Sequence, residues 1–286
     1  MHCIITLIEL GDMVNKFLNK KVVQKHIQTC TNILALIATT IGKVIKYSFS
    51  LLKDAYTAMP LERRQRVISA VVIFIIFTVV VIWGKWMYAL SIMVCCFIMI
   101  HETMKMLENI RETNNSVFYT LKKFVIAYLI ICSLSLIAIR TTYIQGAKIT
   151  LWMFLTAWGT DCGAYIFGKK YGKLKLAPSI SPKKTYEGAI FGTITGFCIS
   201  IILYNMFYTA QRSSFSLLSF AIISILVTIL AQLGDLTESV VKRQCGVKDS
   251  GNIIPGHGGM FDRLDSVLLI APCICIMLFF NGGVIF

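Results

Sequence analysis

Acidic, basic and glycine residues are concentrated in one polar stretch, residues 239–265. A Gly-His-Gly-Gly run at 256–259 permits backbone conformations that aim successive amide groups at an anion. Asp262 and Asp265 are three residues apart, so both can face one metal ion if the chain is helical there; Asp265 as a simple helix cap is the alternative. Carboxylate oxygens suit Mg²⁺, which usually keeps phosphates and water as its other ligands. The stretch predicts phosphoryl or nucleotidyl transfer and is more than a charged connector. Its basic residues are Lys242, Arg243, Lys248 and Arg263.

The apolar run before this stretch ends in a polar stripe. Helical spacing puts Gln232, Asp235, Glu238 or Ser239, and Lys242 on one face. A helix end entering water would also carry such residues. However, acids in a last helical turn oppose the helix dipole and need compensation from a cation such as Lys242 or a metal ion. The stripe is therefore interpreted as functional.

Asp161 is a carboxylate inside the apolar run 151–168. Such a group costs roughly 2.5–3.5 kcal/mol at the centre of a membrane helix, so it needs a partner, a cavity or an ion. Trp158 and Tyr165 share its helix face. A structural hydrogen bond to Tyr165 or to a neighbouring helix is the alternative to a functional role.

The lysine-rich stretch 169–188 could neutralise a polyphosphate or an anionic lipid. Charge anchoring to the membrane would explain its lysines, but it leaves Ser181, Thr185 and Glu187 without a role. Residues 163–170 nearly spell a P-loop. The final Ser or Thr is missing and the segment ends an apolar helix, so that interpretation is rejected.

The elements that position these residues are predicted to lie in a membrane. Hydrophobic residues make up 56% of the 286 residues and the mean hydropathy is +0.73, above the roughly 45–50% apolar content of soluble domains. The net charge of +14 does not indicate a nucleic-acid partner, because the basic residues lie between apolar runs. We expect an all-α polytopic membrane protein with about seven transmembrane helices and a polar active site facing the cytoplasm. The predicted spans are 67–83, 86–101, 121–139, 149–168, 188–208, 216–238 and 266–284, of which the second is the shortest.

The distribution of basic residues predicts the orientation. With the N-terminal side of the first span in the cytoplasm, 17 Lys and Arg residues fall on that side and 4 on the other. Residues 1–60 are interpreted as an N-terminal extension of unknown role that could lie on the membrane surface, and 61–286 as the membrane-embedded domain. Gly188, Gly192 and Gly196 predict close helix packing, within the subunit by default and in a homodimer as the alternative.

The polar stretches resemble a known family. The pattern Ser-Val-Val-Lys-Arg at 239–243, Lys-Asp at 248–249, Pro-Gly-His-Gly-Gly at 255–259 and Asp-Arg-Leu-Asp at 262–265 is similar to the signature of phosphatidate cytidylyltransferases, the CDP-diacylglycerol synthases. The segments 161–165, 181–188 and 233–239 also match motifs of that family. The resemblance covers the chain from about residue 61 onward. It implies transfer of the cytidylyl group of CTP to phosphatidic acid, giving CDP-diacylglycerol and pyrophosphate in a bacterial-type inner membrane.

The resemblance also suggests roles for residues. Metal binding is assigned to Asp235, Asp262 and Asp265, for one or two Mg²⁺ ions or for Mg²⁺ with K⁺. The catalytic set is Asp235, Lys242, Arg243, Lys248, Asp249, His257, Asp262, Arg263 and Asp265. The set expected to bind CTP or phosphatidic acid is Asp161, Tyr165, Ser181, Lys183, Lys184, Thr185, Glu187, Glu238, Ser239, Gly258 and Gly259. A CTP-dependent polyprenol kinase is the enzymatic alternative, and an ion-coupled transporter is an alternative of another class.

Overall fold

The computed structural model describes residues 60–111, 115–207, 216–253 and 258–281. The predicted N-terminal extension up to residue 59 and His257 lie outside the described residues. From Gln65 onward the chain forms one compact unit. The helices in the described part are α1 (Leu61–Trp83), α2 (Lys85–Arg111), α3 (Asn115–Thr142), α4 (Gly146–Tyr171), α5 (Tyr186–Phe207), α6 (Leu217–Gln244) and α7 (Phe261–Phe280).

Five of these helices, α2, α3, α5, α6 and α7, are long and apolar enough to cross a membrane. The apolar part of α1 is shorter, Ile68–Trp83. Helix α4 is not among the five, and it carries Lys148, Asp161 and several buried threonines. It packs against α3, α5, α6 and α7, so protein surrounds much of its surface and lipid-facing apolar residues are needed less. The chain is thus a mainly helical, multi-pass membrane protein.

Helices α2, α6 and α7 extend beyond the predicted spans at their ends near the candidate site. Helix α2 continues from the predicted end at 101 to Arg111, so the span expected to be shortest is among the longest helices. Helix α6 continues from 238 to Gln244, and α7 begins at Phe261 in place of 266. Hydropathy marks where apolar side chains end, whereas a helix continues wherever its polar groups find partners.

The lysine-rich stretch is not the irregular loop that an all-α fold implies. Strands β1 (Lys175–Ala177) and β2 (Ser181–Thr185) form a two-stranded antiparallel hairpin before α5. Both carboxylate oxygens of Glu187 accept from Leu174 N (3.2 and 3.3 Å), which ties the hairpin to the first turn of α5. The hairpin was missed because short strands rich in lysine lack a hydrophobic alternation.

The glycines of α5 pack against α4 within the chain. A Cβ at Gly188 or Gly192 would lie 2.9 Å from a backbone oxygen of α4, that of Ala164 or Thr160. A Cβ at Gly196 would collide with Thr160 Oγ1. The intramolecular interpretation of these glycines is therefore the one the structure supports, and this face of α5 is already covered.

Contacts between helix ends fall into two groups. At one end, Arg140 Nε donates to Val81 O (2.8 Å), Lys85 Nζ to Thr141 O (2.7 Å), and Lys148 Nζ to Phe207 O (3.2 Å). The other group, which contains the candidate site, is formed by the hairpin, by residues 245–253 and 258–260, and by the polar ends of α2, α4, α6 and α7.

Candidate active site

Three carboxylates from two helices converge at the centre of the candidate site. Asp235 and Glu238 lie one turn apart on α6, and Asp265 lies on α7; one oxygen of each is within 4.8 Å of the others. Gly234 permits the approach, because a Cβ there would collide with the backbone oxygen of Asp265. Glu238 is 1% exposed, and its Oε1 accepts no hydrogen bond from the described residues. Clustered hard oxygens with an unpartnered buried acceptor fit a divalent cation such as Mg²⁺.

Asp161 joins this cluster through a hydroxyl. Ser266 Oγ donates to Asp161 Oδ2 (2.6 Å) and lies 3.2 Å from Asp265 Oδ1, which also accepts from Ser266 N (2.8 Å). Asp161 thus bonds to a neighbouring helix, α7, which is one of the two partners that the structural alternative offered. Its position links α4 to the acidic cluster.

Two lysines approach the acids from opposite sides. Lys184 Nζ of β2 pairs with Asp235 Oδ2 at 2.8 Å. Lys242 Nζ pairs with Glu238 Oε2 at 2.7 Å and with Asp262 Oδ1 at 2.6 Å. Because charges this close in a partly desolvated site interact strongly, the lysines offset part of the repulsion among the acids. The carboxylates of Asp235, Glu238, Asp262 and Asp265 still outnumber these two lysines, which favours a bound cation.

Asp262 was predicted to bind metal together with Asp235 and Asp265, but its contacts are with Lys242, Ser250 and Gly259. Its Oδ2 accepts from Ser250 N (3.0 Å), Ser250 Oγ (2.9 Å) and Gly259 N (2.8 Å). Its Oδ1 accepts from Lys242 Nζ. Gly258 adopts φ +83°, and a Cβ there would lie 2.7 Å from Asp262 Oδ2, so the turn requires glycine. Asp262 therefore organises the glycine-rich turn, and Glu238 takes the place expected for it in the acidic cluster.

A cavity of about 610 Å³ opens beside the acidic cluster. Asp161 and Asp235 line one side, and Lys183, Lys184 and Thr185 of the hairpin line another. Its remaining lining residues are Ala164, Tyr165, Gly168, Lys169, Gly172, Lys175, Leu176, Gly188, Ala189 and Gln232. Acids that can hold a cation and lysines that can hold phosphate therefore face the same space.

The other predicted site residues divide between structural contacts and exposed positions. Thr185 Oγ1 accepts from Gly188 N (3.1 Å) and caps α5. Arg243 donates to Ile180 O (2.9 Å) and Val247 O (3.0 Å), which joins the end of α6 to the hairpin turn. Lys248 and Asp249 are exposed, Ser181 and Arg263 are half-buried, and Ser239 is buried.

Three residues with direct contacts in the site were missed at the sequence level: Glu102, Ser250 and Ser266. Glu102 on α2 is buried, and its oxygens accept from Met260 N, Phe261 N and Ser250 Oγ. It follows the predicted end of the second span by one residue, so a search for acids inside spans did not include it. A search extended by one helical turn past each span would have found it.

Comparisons with known proteins show the family to which this chain belongs. The cytidylyltransferase family matches residues 110–281. The phosphatidate cytidylyltransferase of Rickettsia typhi is 36% identical over 209 residues, 72% of this chain and 88% of that protein. Those of Haemophilus influenzae and Staphylococcus haemolyticus are 41% and 46% identical over 136 and 134 residues, 48% and 47% of this chain. The aligned part spans only about half of these two relatives, 47% and 50%.

Proposed function

The chain belongs to the cytidylyltransferase family, and we propose that it transfers the cytidylyl group of CTP to phosphatidic acid, giving CDP-diacylglycerol and pyrophosphate. The observation that carries this proposal is the cavity with Asp161 and Asp235 on one side and the lysine hairpin on another. The names of the relatives identify the lipid substrate, since all those compared are phosphatidate cytidylyltransferases. A polyprenol kinase or a transporter is not favoured by these relatives.

The main requirement of this reaction is to compensate the negative charge of the substrates and of the leaving pyrophosphate. A phosphate oxygen of phosphatidic acid attacks the α-phosphorus of CTP, and the bond from that phosphorus to the oxygen that bridges the α- and β-phosphates breaks, so that oxygen leaves as part of pyrophosphate. A phosphate monoester is mostly dianionic at pH 7 because its second pKa is about 6, so the nucleophile needs no strong protein base. The protein must bring two polyanions together and stabilise the departing pyrophosphate.

The lysines of the hairpin supply positive charge for this task. Lys183 and Lys184 line the cavity, and Lys184 is already oriented by Asp235. Phosphates entering the cavity would exchange that ion pair for lysine–phosphate contacts, which leaves Asp235 available to a cation. Lys242 does not line the cavity, and its ammonium compensates the negative charges of Glu238 and Asp262.

Mg²⁺ would be held by Asp235, Glu238 and Asp265. When bound, it would neutralise charge on the CTP phosphates and polarise the α-phosphorus. Asp161 orients Asp265 through Ser266. This ligand set replaces the predicted Asp262 with Glu238, because Asp262 already receives hydrogen bonds from Lys242, Ser250 and Gly259.

We infer further that all seven helices cross a bacterial-type inner membrane and that the site faces the cytoplasm, where CTP is available. The two groups of helix-end contacts support this topology, since α2 and α5 each have one end in each group. The bias of basic residues toward the side of the site supports the orientation.

The test is a transfer assay with purified protein in detergent. CTP labelled at the α-phosphate, phosphatidic acid and Mg²⁺ should give label in the lipid phase and free pyrophosphate. Release of CDP with formation of a lipid phosphate from a lipid alcohol would instead indicate a kinase. Absence of lipid label from well-folded protein would overturn the proposed reaction.

A further inference from the structure

Glu102 is a buried acid that belongs to none of the sequence motifs. It lies on α2, is 3% exposed, and is separated from its partners by about half the chain. The donors that the described residues offer it are neutral: Met260 N (3.0 Å), Phe261 N (3.1 Å) and Ser250 Oγ (3.2 Å). A buried carboxylate without a basic partner is costly, so its position calls for an explanation.

Glu102 joins two described parts of the chain, residue 250 at one end and residues 260–261 at the start of α7 at the other. Met260 N and Phe261 N are among the first N–H groups of α7, where a negative charge is stabilised by the helix dipole. Ser250 Oγ lies at the other end and is shared with Asp262 Oδ2. A Cβ at Gly259 would lie 2.6 and 2.7 Å from the two Glu102 oxygens, so the turn is built around this side chain.

A continuous set of contacts leads from Glu102 to the acidic cluster. Ser250 contacts Asp262, Asp262 contacts Lys242, and Lys242 contacts Glu238. We propose that Glu102 is a positioning residue for the transfer reaction, holding Ser250 and the start of α7 so that Asp262 and Lys242 are correctly placed beside Glu238. The expected effect on kcat rests on the proposed function, whereas the expected effect on the position of Ser250 does not.

The kinetic test compares Glu102→Gln with Glu108→Gln, an identical change at an exposed position of the same helix. Each carboxylate oxygen of Glu102 accepts from one backbone N–H, Oε1 from Met260 and Oε2 from Phe261. Glutamine carries no charge and has an N–H₂ in place of one oxygen, so these two charge-assisted hydrogen bonds cannot both remain. We expect kcat for lipid labelling to fall about tenfold or more in Glu102→Gln. The Mg²⁺ concentration for half-maximal rate should not change, and Glu108→Gln should match the parent protein.

Double substitution separates positioning from general stability. If Glu102 acts through Ser250, Glu102→Gln combined with Ser250→Ala should lose no more activity than the more damaging single change. Losses that multiply, or a parental rate in Glu102→Gln, would overturn the proposal. If Glu102→Gln does not fold, Ser250→Ala alone tests the proposal. It should lower kcat, and a parental rate would refute the proposed connection from Glu102 through Ser250 to Asp262.

A measurement without substrate tests the geometry independently of activity. In an Ile253→Cys background, maleimide labelling at residue 253 should be faster with Glu102→Gln than with Glu108→Gln, because Ser250 loses its contact with Glu102 and the chain next to it is less restrained. Native Cys245 provides an internal reference, since burial raises the pKa of its thiol to about 11 and slows its reaction. Equal rates would contradict the positioning role. If the parent protein transfers no label to lipid, the proposed function fails while this measurement still decides the role of Glu102.

Discussion

Glu238 and Asp262 share Lys242, yet their remaining oxygens are in different situations. Glu238 Oε1 accepts no hydrogen bond from the described residues, whereas Asp262 Oδ2 lies within hydrogen-bond distance of three donors. Without a cation in the site, the ammonium of Lys242 is the positive charge between these acids. The two carboxylates should therefore respond differently when their charge is removed.

Glu238→Gln should abolish most activity and change the metal requirement. The substitution replaces one converging oxygen by an amide nitrogen, which cannot bind a cation. We expect a loss of about 100-fold or more at a fixed, moderate Mg²⁺ concentration, with half-maximal rate displaced to higher Mg²⁺. A Mg²⁺ titration of lipid labelling measures both quantities. Thr237→Ala, a change at the exposed neighbouring residue of α6, should behave as the parent; an unshifted titration in Glu238→Gln would remove Glu238 from the ligand set.

Asp262→Asn should lower the rate without displacing the Mg²⁺ titration. Its loss weakens the turn that contains Gly259 and leaves Lys242 with one acid in place of two. We expect kcat to fall at least about tenfold, because an interaction with a charged group is lost. The same titration serves as the measurement. A displacement as large as that of Glu238→Gln would instead make Asp262 a metal ligand, as the sequence motif predicted.

Helix register explains how much of the site was predictable from the sequence. Spacing along α6 correctly predicted that Asp235, Glu238 and Lys242 lie on one side, because i, i+3 and i, i+4 neighbours share a helix face. The same rule did not decide the contacts of Asp262 and Asp265. Asp262 lies in the first turn of α7, where the preceding turn offers backbone N–H groups to a carboxylate. Asp265 lies a turn deeper, too far along to cap the helix.

Long-range contacts account for what could not be predicted. The pairing of Lys184 with Asp235 and of Glu102 with Ser250 depends on how helices far apart in sequence are arranged. The hairpin gave no signal of its own, since its lysines lie on both faces of a short strand. The motifs indicated the chemistry, whereas only the fold showed which acid meets which base.

At the scale of elements, the packing of α4 against α5 sets the shape of the cavity. Gly192→Ala should destabilise this contact, because its Cβ would lie 2.9 Å from Thr160 O and 3.2 Å from Ala164 N, both backbone atoms. Overpacking of this kind typically costs about 1–3 kcal/mol. Thermal unfolding in detergent should show a lower midpoint. Gly84→Ala is the matched control, since no atom lies within 4 Å of its added Cβ; equal midpoints would contradict the tight contact.

At the scale of the whole molecule, the topology depends most on α4, which was predicted to span but is not among the five helices that are long and apolar enough to cross a membrane. Its 26 residues extend about 39 Å at 1.5 Å per residue, more than the roughly 30 Å hydrocarbon core of a bilayer. Its threonines Thr150, Thr156 and Thr160 are buried inside the protein. Asp161 bonds to Ser266 of α7 and so does not face lipid. A crossing is therefore physically reasonable despite its composition.

Cysteines on either side of α4 test this crossing and the orientation together. Ile144→Cys lies in the connection before α4, where the native side chain is 97% exposed, and Lys173→Cys lies in the exposed segment after it. With a membrane-impermeant maleimide, we expect Ile144→Cys to react in intact cells and Lys173→Cys only after permeabilisation, relative to the parent chain. Reaction of both before permeabilisation would mean that α4 does not cross. The reversed pattern would keep the crossing but place the acidic cluster on the outer side, where CTP could not reach it, and the proposed orientation would be wrong.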